Sequence, residues 1–101
     1  MVKVVWTERA LAQLERAIVY IKTERGVSYA TIVLEKILEK TSALEMFPRR
    51  GQEEVLLKHK KAEYRYLIVF SFKVIYKVLQ DRVVISRIFH AARDPKKLKG
   101  I

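Results

Sequence analysis

The chain has 101 residues, half of them hydrophobic and 32% charged, with three Gly, two Pro and no Cys. That fits one compact domain over residues 1–101 with a filled core, and it excludes disulfide frameworks, thiolate metal sites and cysteine nucleophiles. The net charge of +10 is uneven: residues 1–54 carry nine basic and eight acidic side chains, and residues 55–101 carry twelve and three. A field of that sign on the second half suits nucleic acid, an acidic protein surface or an anionic membrane.

Val2 to Trp6 is a short β-branched run that reads as a first strand. Thr7 offers a hydroxyl N-cap, and Glu8 lies in the first turn, where the helix dipole favours an acid. Leu11, Leu14, Ile18 and Ile21 recur at helical spacing, and Gly26 ends that helix. Ser28 is placed to cap a second helix whose apolar face runs through Ala30, Leu34, Ile37 and Leu44, widened by Val33 and Leu38. So short a loop folds the two helices back as an antiparallel hairpin.

Phe47-Pro48 closes the second helix, because proline disfavours helix in the residue before it. Arg49 to Gln52 reads as a loop. Four strand-like runs follow: Val55–Lys58, Tyr64–Phe70, Phe72–Leu79 and Arg82–Phe89, the last two joined by a tight Gln80-Asp81 turn. A basic, proline-interrupted tail occupies about 91–101. The expectation is an α+β fold in which an N-terminal strand and an α-helical hairpin pack on an antiparallel β-sheet. Its open edges need a partner to cover them.

The longest uncharged run, Gly26 to Leu34, has nine residues, against the ~20 needed to span a bilayer. No basic-then-apolar leader opens the chain, so a cytoplasmic protein without a membrane role is expected. His59 and His90 have no metal-ligand spacing, and no serine sits in a nucleophile elbow, so neither a metal nor another cofactor is expected. Lys58-His59-Lys60-Lys61 followed by Tyr64-Arg65-Tyr66 has the residue types that hold phosphates and stack on bases. A solvated basic turn has the same composition. Ile88 to Asp94 is a second cluster. There His90 either faces a groove or is a packed, hydrogen-bonded residue, and Arg93 and Asp94 can pair locally.

Four segments taken in order carry a family resemblance: Trp6-Thr7-Glu8-Arg9-Ala10, Leu44-Glu45-Met46-Phe47-Pro48-Arg49-Arg50-Gly51, Phe72 to Val78, and Val84 to Asp94. Together they resemble the RelE/ParE superfamily of bacterial toxins from type II toxin–antitoxin pairs. The resemblance implies growth arrest, a plasmid-stabilization role and a cognate acidic antitoxin (ParD-like or similar). That partner is expected to lie on exposed apolar surface of the helical hairpin and on a sheet edge. Two targets follow from the two branches. RelE-like members are endoribonucleases that cut mRNA on the ribosome without a metal, whereas ParE-like members inhibit DNA gyrase without catalysis. The ribonuclease's Tyr-Arg pair falls on Phe72 and Lys73, and its later arginine on Arg93. Its lysine pair falls near Tyr64 and Tyr66, and its C-terminal tyrosine near Lys99. Loss of those groups removes charge stabilisation and an acid–base together. The chain is therefore closer to the ParE branch, with a ribonuclease using Lys73, His90 and Arg93 as the alternative. The candidate target-binding residues are Arg65, Arg87, His90, Arg93, Lys96, Lys97 and Lys99, expected to converge on one face if the strands pair in register.

Overall fold

A computed structural model describes residues 1–91. The elements are β1 (Lys3–Trp6), α1 (Glu8–Arg25), α2 (Val27–Ser42), a 3-10 turn (Ala43–Glu45), β2 (Gln52–Glu53), a second 3-10 turn (Val55–Leu57), β3 (Glu63–Val69), β4 (Phe72–Val78) and β5 (Arg82–His90). The five strands form one sheet in the order β1-β5-β4-β3-β2. The α+β class, the leading strand and the helical hairpin are as expected.

The sheet itself is mixed rather than wholly antiparallel, because β1 lies parallel to β5. Parallel neighbours need a long crossover, and here the helical hairpin and the β2–β4 meander supply it. Val2, Val4 and Trp6 then face the helices, and Thr7 continues the pairing by donating its backbone N–H to Ile85 O at 3.1 Å.

Thr7 caps α1 as its sequence position predicts, accepting from Ala10 N at 3.0 Å. Ser28 caps nothing. Gly26 alone links the helices, at φ 92°, a conformation that glycine reaches without a Cβ penalty. Leu14, Ile21, Ala30, Val33, Ile37 and Leu44 are buried against the sheet, whereas Leu11 and Leu38 lie at the margins and are exposed. α2 ends at Ser42, before Phe47-Pro48, and the chain tightens into a 3-10 turn. In that last helical turn the buried Thr41 hydroxyl bonds Ile37 O at 2.8 Å.

Val55–Lys58 is not a strand. Glu54 Oε1 accepts from Leu56 N at 3.1 Å and Glu54 O from Leu57 N, closing a 3-10 turn. Pairing with β3 lies just ahead of it, at Gln52 and Glu53, and ends with Glu54 N bonded to Tyr64 O at 2.9 Å. The Gln80-Asp81 turn is present, with Leu79 N bonded to Arg82 O at 2.8 Å. Gly51 meets the sheet where no side chain fits: an added Cβ would lie 2.5 Å from Tyr66 O and 2.7 Å from the Tyr76 hydroxyl.

Candidate functional site

The helices cover one side of the sheet, with Val69, Val74, Tyr76, Val78, Val83, Ile85 and Ile88 buried beneath them. On the far side, directly opposed residues form three rows across β3, β4 and β5: Tyr64, Lys77 and Val84; Tyr66, Ile75 and Arg87; Ile68, Lys73 and Phe89. No residue in these rows is acidic. Leu57 reaches over this face and packs on Tyr64 and Ile75, so the segment 55–61 forms a strap across it. The strap carries Lys58, His59, Lys60 and Lys61, all exposed.

Among the described residues, the candidates Arg65, Arg87 and His90 do not share one face. Arg65 opposes Tyr76 and so faces the helix side. Its Nε lies 2.6 Å from Glu63 Oε2, and its Nη1 donates to Gly51 O at 2.9 Å. Arg49 joins the same carboxylate at 3.1 Å. The Arg65 hydrogen bond holds the Glu63 carboxyl below the usual carboxylate range against the opposing effect of burial, with a smaller contribution from Arg49. His90 opposes Phe72, again on the helix side, with ring centroids 6.0 Å apart. Arg93, Lys96, Lys97 and Lys99 lie outside the described residues.

Lys73 and Arg87 do share the far face, in opposite electrostatic states. Lys73 Nζ sits 2.6 Å from Glu54 Oε2 and 4.3 Å from the Tyr66 ring centroid. Glu54 is 2% exposed, so this is a buried ion pair with a cation–π contact on top. Glu54 has no signature in the sequence. It is one of two adjacent glutamates, and only the short β2 pairing selects it for burial.

Arg87 is 7% exposed and has no carboxylate partner among the described residues. Its one hydrogen bond runs from Nη1 to Ser86 O at 2.8 Å, and Nε, shielded from solvent, has none. Burial, and then the neighbouring Arg9, push its guanidinium below the ordinary arginine value, while Tyr64 pulls the other way. Burial likewise raises the Tyr64 hydroxyl above its ordinary value, with Arg87 opposing. Among the described residues no group of three or more His, Asp or Glu is placed to hold a metal ion.

The family profile described as "ParE toxin of type II toxin-antitoxin system, parDE" matches residues 4–95. The chain belongs to the ParE toxin family. A solved structure described as "Chromosomal ParDE TA system from P. aeruginosa" superposes with a TM-score of 0.73 at 21% identity, covering 89% of this chain and 96% of that one. That likeness is one of fold. No curated protein sequence matches. No helix among the described residues is long and apolar enough to cross a membrane.

Proposed function

We propose that this ParE-family toxin inhibits DNA gyrase in the cytoplasm by binding rather than by catalysis, and that a cognate acidic antitoxin neutralises it. Membership of the family over residues 4–95 supports the toxin class. The state of Lys73 favours gyrase over mRNA. Lys73, which falls on the ribonuclease's arginine, is held by a buried carboxylate at 2.6 Å, so its charge is already compensated when a scissile phosphate arrives. Tyr64 and Tyr66 stand near the ribonuclease's two lysine positions. Electrostatic stabilisation of the transition state is usually the largest catalytic contribution, and here its main carriers are missing or engaged.

The working surface in this proposal is the far face of the sheet, with Arg87, Lys77, Tyr66 and Phe89; Arg93, Lys96, Lys97 and Lys99 lie outside the described residues and stay candidates by sequence alone. Arg65 and His90, on the other side, leave that surface. For the antitoxin, exposed apolar residues on the hairpin, Val19, Tyr20 and Ile32 among them, offer a seat for an amphipathic helix, and the outer edge of β1 can accept a strand. Induction of the gene alone separates the two targets: filamentation with DNA breaks is expected first. Immediate translation arrest with codon-positioned mRNA cuts would instead establish the ribonuclease, for which the aromatic and basic far face is the supporting observation.

A further inference from the structure

Among the buried polar side chains, Glu54 is ion-paired and the Thr41 hydroxyl is hydrogen-bonded to Ile37 O and Leu38 O. Arg87 differs. It is a full charge, 7% exposed, whose one side-chain hydrogen bond to a described residue runs to the carbonyl of its own neighbour. A desolvated charge without a counter-charge is expensive to keep. A β-bulge maintains this arrangement. Ile85 opposes Tyr76 and Arg87 opposes Ile75, so Ser86 is the extra residue that turns Arg87 from the core side to the far face.

Nη1 is engaged at Ser86, Nε has no hydrogen-bond partner, and Nη2 bonds no described residue. The Nε–Nη2 edge of a guanidinium fork matches the two oxygens of an oxyanion. Sterics choose between the sources. A phosphodiester, flanked by sugars, cannot descend to a group with so little exposed surface, whereas the carboxylate at the tip of an Asp or Glu side chain can. The net charge of +10 favours either anion, so the choice between them rests on shape.

We propose that Arg87 is the socket for one carboxylate of the antitoxin, which thereby occupies the toxin's far face. This rests on the antitoxin partner proposed above. It adds a location and a mode of neutralisation: the acid that completes the Arg87 ion pair also blocks the surface presented to the target.

The first test uses the free chain. Sodium acetate is titrated into ¹⁵N-labelled protein against sodium chloride of equal ionic strength, following the arginine Nε–H resonances, with that of Arg87 assigned by its disappearance in Arg87→Met. A saturable shift of the Arg87 resonance with acetate, absent with a single-stranded oligonucleotide, is expected. No shift with acetate, or a shift with the oligonucleotide alone, overturns the proposal.

The second test uses the acidic protein encoded beside the toxin gene. Removing one member of a buried charge pair weakens association by about thirtyfold or more, so Arg87→Met should lose at least that much affinity while keeping or raising the Tm of the free toxin. Arg87→Lys should fall between, having a charge but no fork. If the wild type does not bind the acidic protein, the partner is wrong and the acetate result still stands. If the wild type binds and Arg87→Met binds equally well, the socket is wrong and the partner stands.

Discussion

On the helix side of the sheet, polar groups are tied into the fold. The Tyr76 hydroxyl accepts from Gly51 N at 2.9 Å, Arg65 holds Glu63 and Gly51 O, and Gln13 Oε1 accepts from Ile88 N at 2.9 Å. On the far side, one cation, the half-buried Lys73, is neutralised by a buried carboxylate, and the buried Arg87 has no counter-charge among the described residues. The same strands thus carry a closed network on one face and an incomplete one on the other. In the proposal made above, completion of that network comes from the antitoxin.

The largest expected effect breaks the closed part of the far face. Lys73→Ala leaves the Glu54 carboxylate buried and unpaired, which costs about 3–5 kcal/mol. Chemical denaturation should show that loss, and the double change Glu54→Gln with Lys73→Met should recover most of it. Full stability in Lys73→Ala combined with lost toxicity would make Lys73 a functional residue instead.

Next in size is the helix-side pin. Tyr76→Phe removes the acceptor for Gly51 N and should cost about 1–3 kcal/mol, with a lowered Tm and unchanged toxicity per folded molecule. The smallest effect concerns Glu63. Its carboxyl is held below the usual range by Arg65 and Arg49, so its contribution is present above the unfolded value of about 4.3. That contribution disappears as pH falls through the lower folded value. For a part-exposed pair it amounts to up to about 1 kcal/mol. Comparing wild type with Glu63→Gln, the stability difference near pH 7 should vanish on acidification.

Much of the fold was legible because the patterns were local. Thr7 as a cap, Gly26 as a stop, the helical spacing of Leu14 and Ile21, and the alternation of Val74, Tyr76 and Val78 all survive in the structure. The misreadings are non-local. The parallel pairing of β1 depends on where β5 finishes, and the 3-10 turn at Val55 depends on the side chain of Glu54. For the site, strict alternation from the core residue Ile85 puts Arg87 among the core side chains. Only the bulge at Ser86 reverses it, and nothing in Ile85-Ser86-Arg87 announces a bulge. Arg65 was separable from Tyr64 and Tyr66 by simple alternation, and the structure places them on opposite faces accordingly.

The most direct measurement is DNA supercoiling by purified gyrase in the presence of the purified toxin, run with the wild type and with Lys77→Glu. Lys77 is a strand residue of the far face, opposite Tyr64 and Val84. The wild type should inhibit supercoiling, and Lys77→Glu should inhibit at least about tenfold less at an unchanged Tm, since a like-charge contact introduced at an electrostatically matched interface costs over 1 kcal/mol. Untouched supercoiling with the wild type, or equal inhibition by Lys77→Glu, would contradict a gyrase-directed far face.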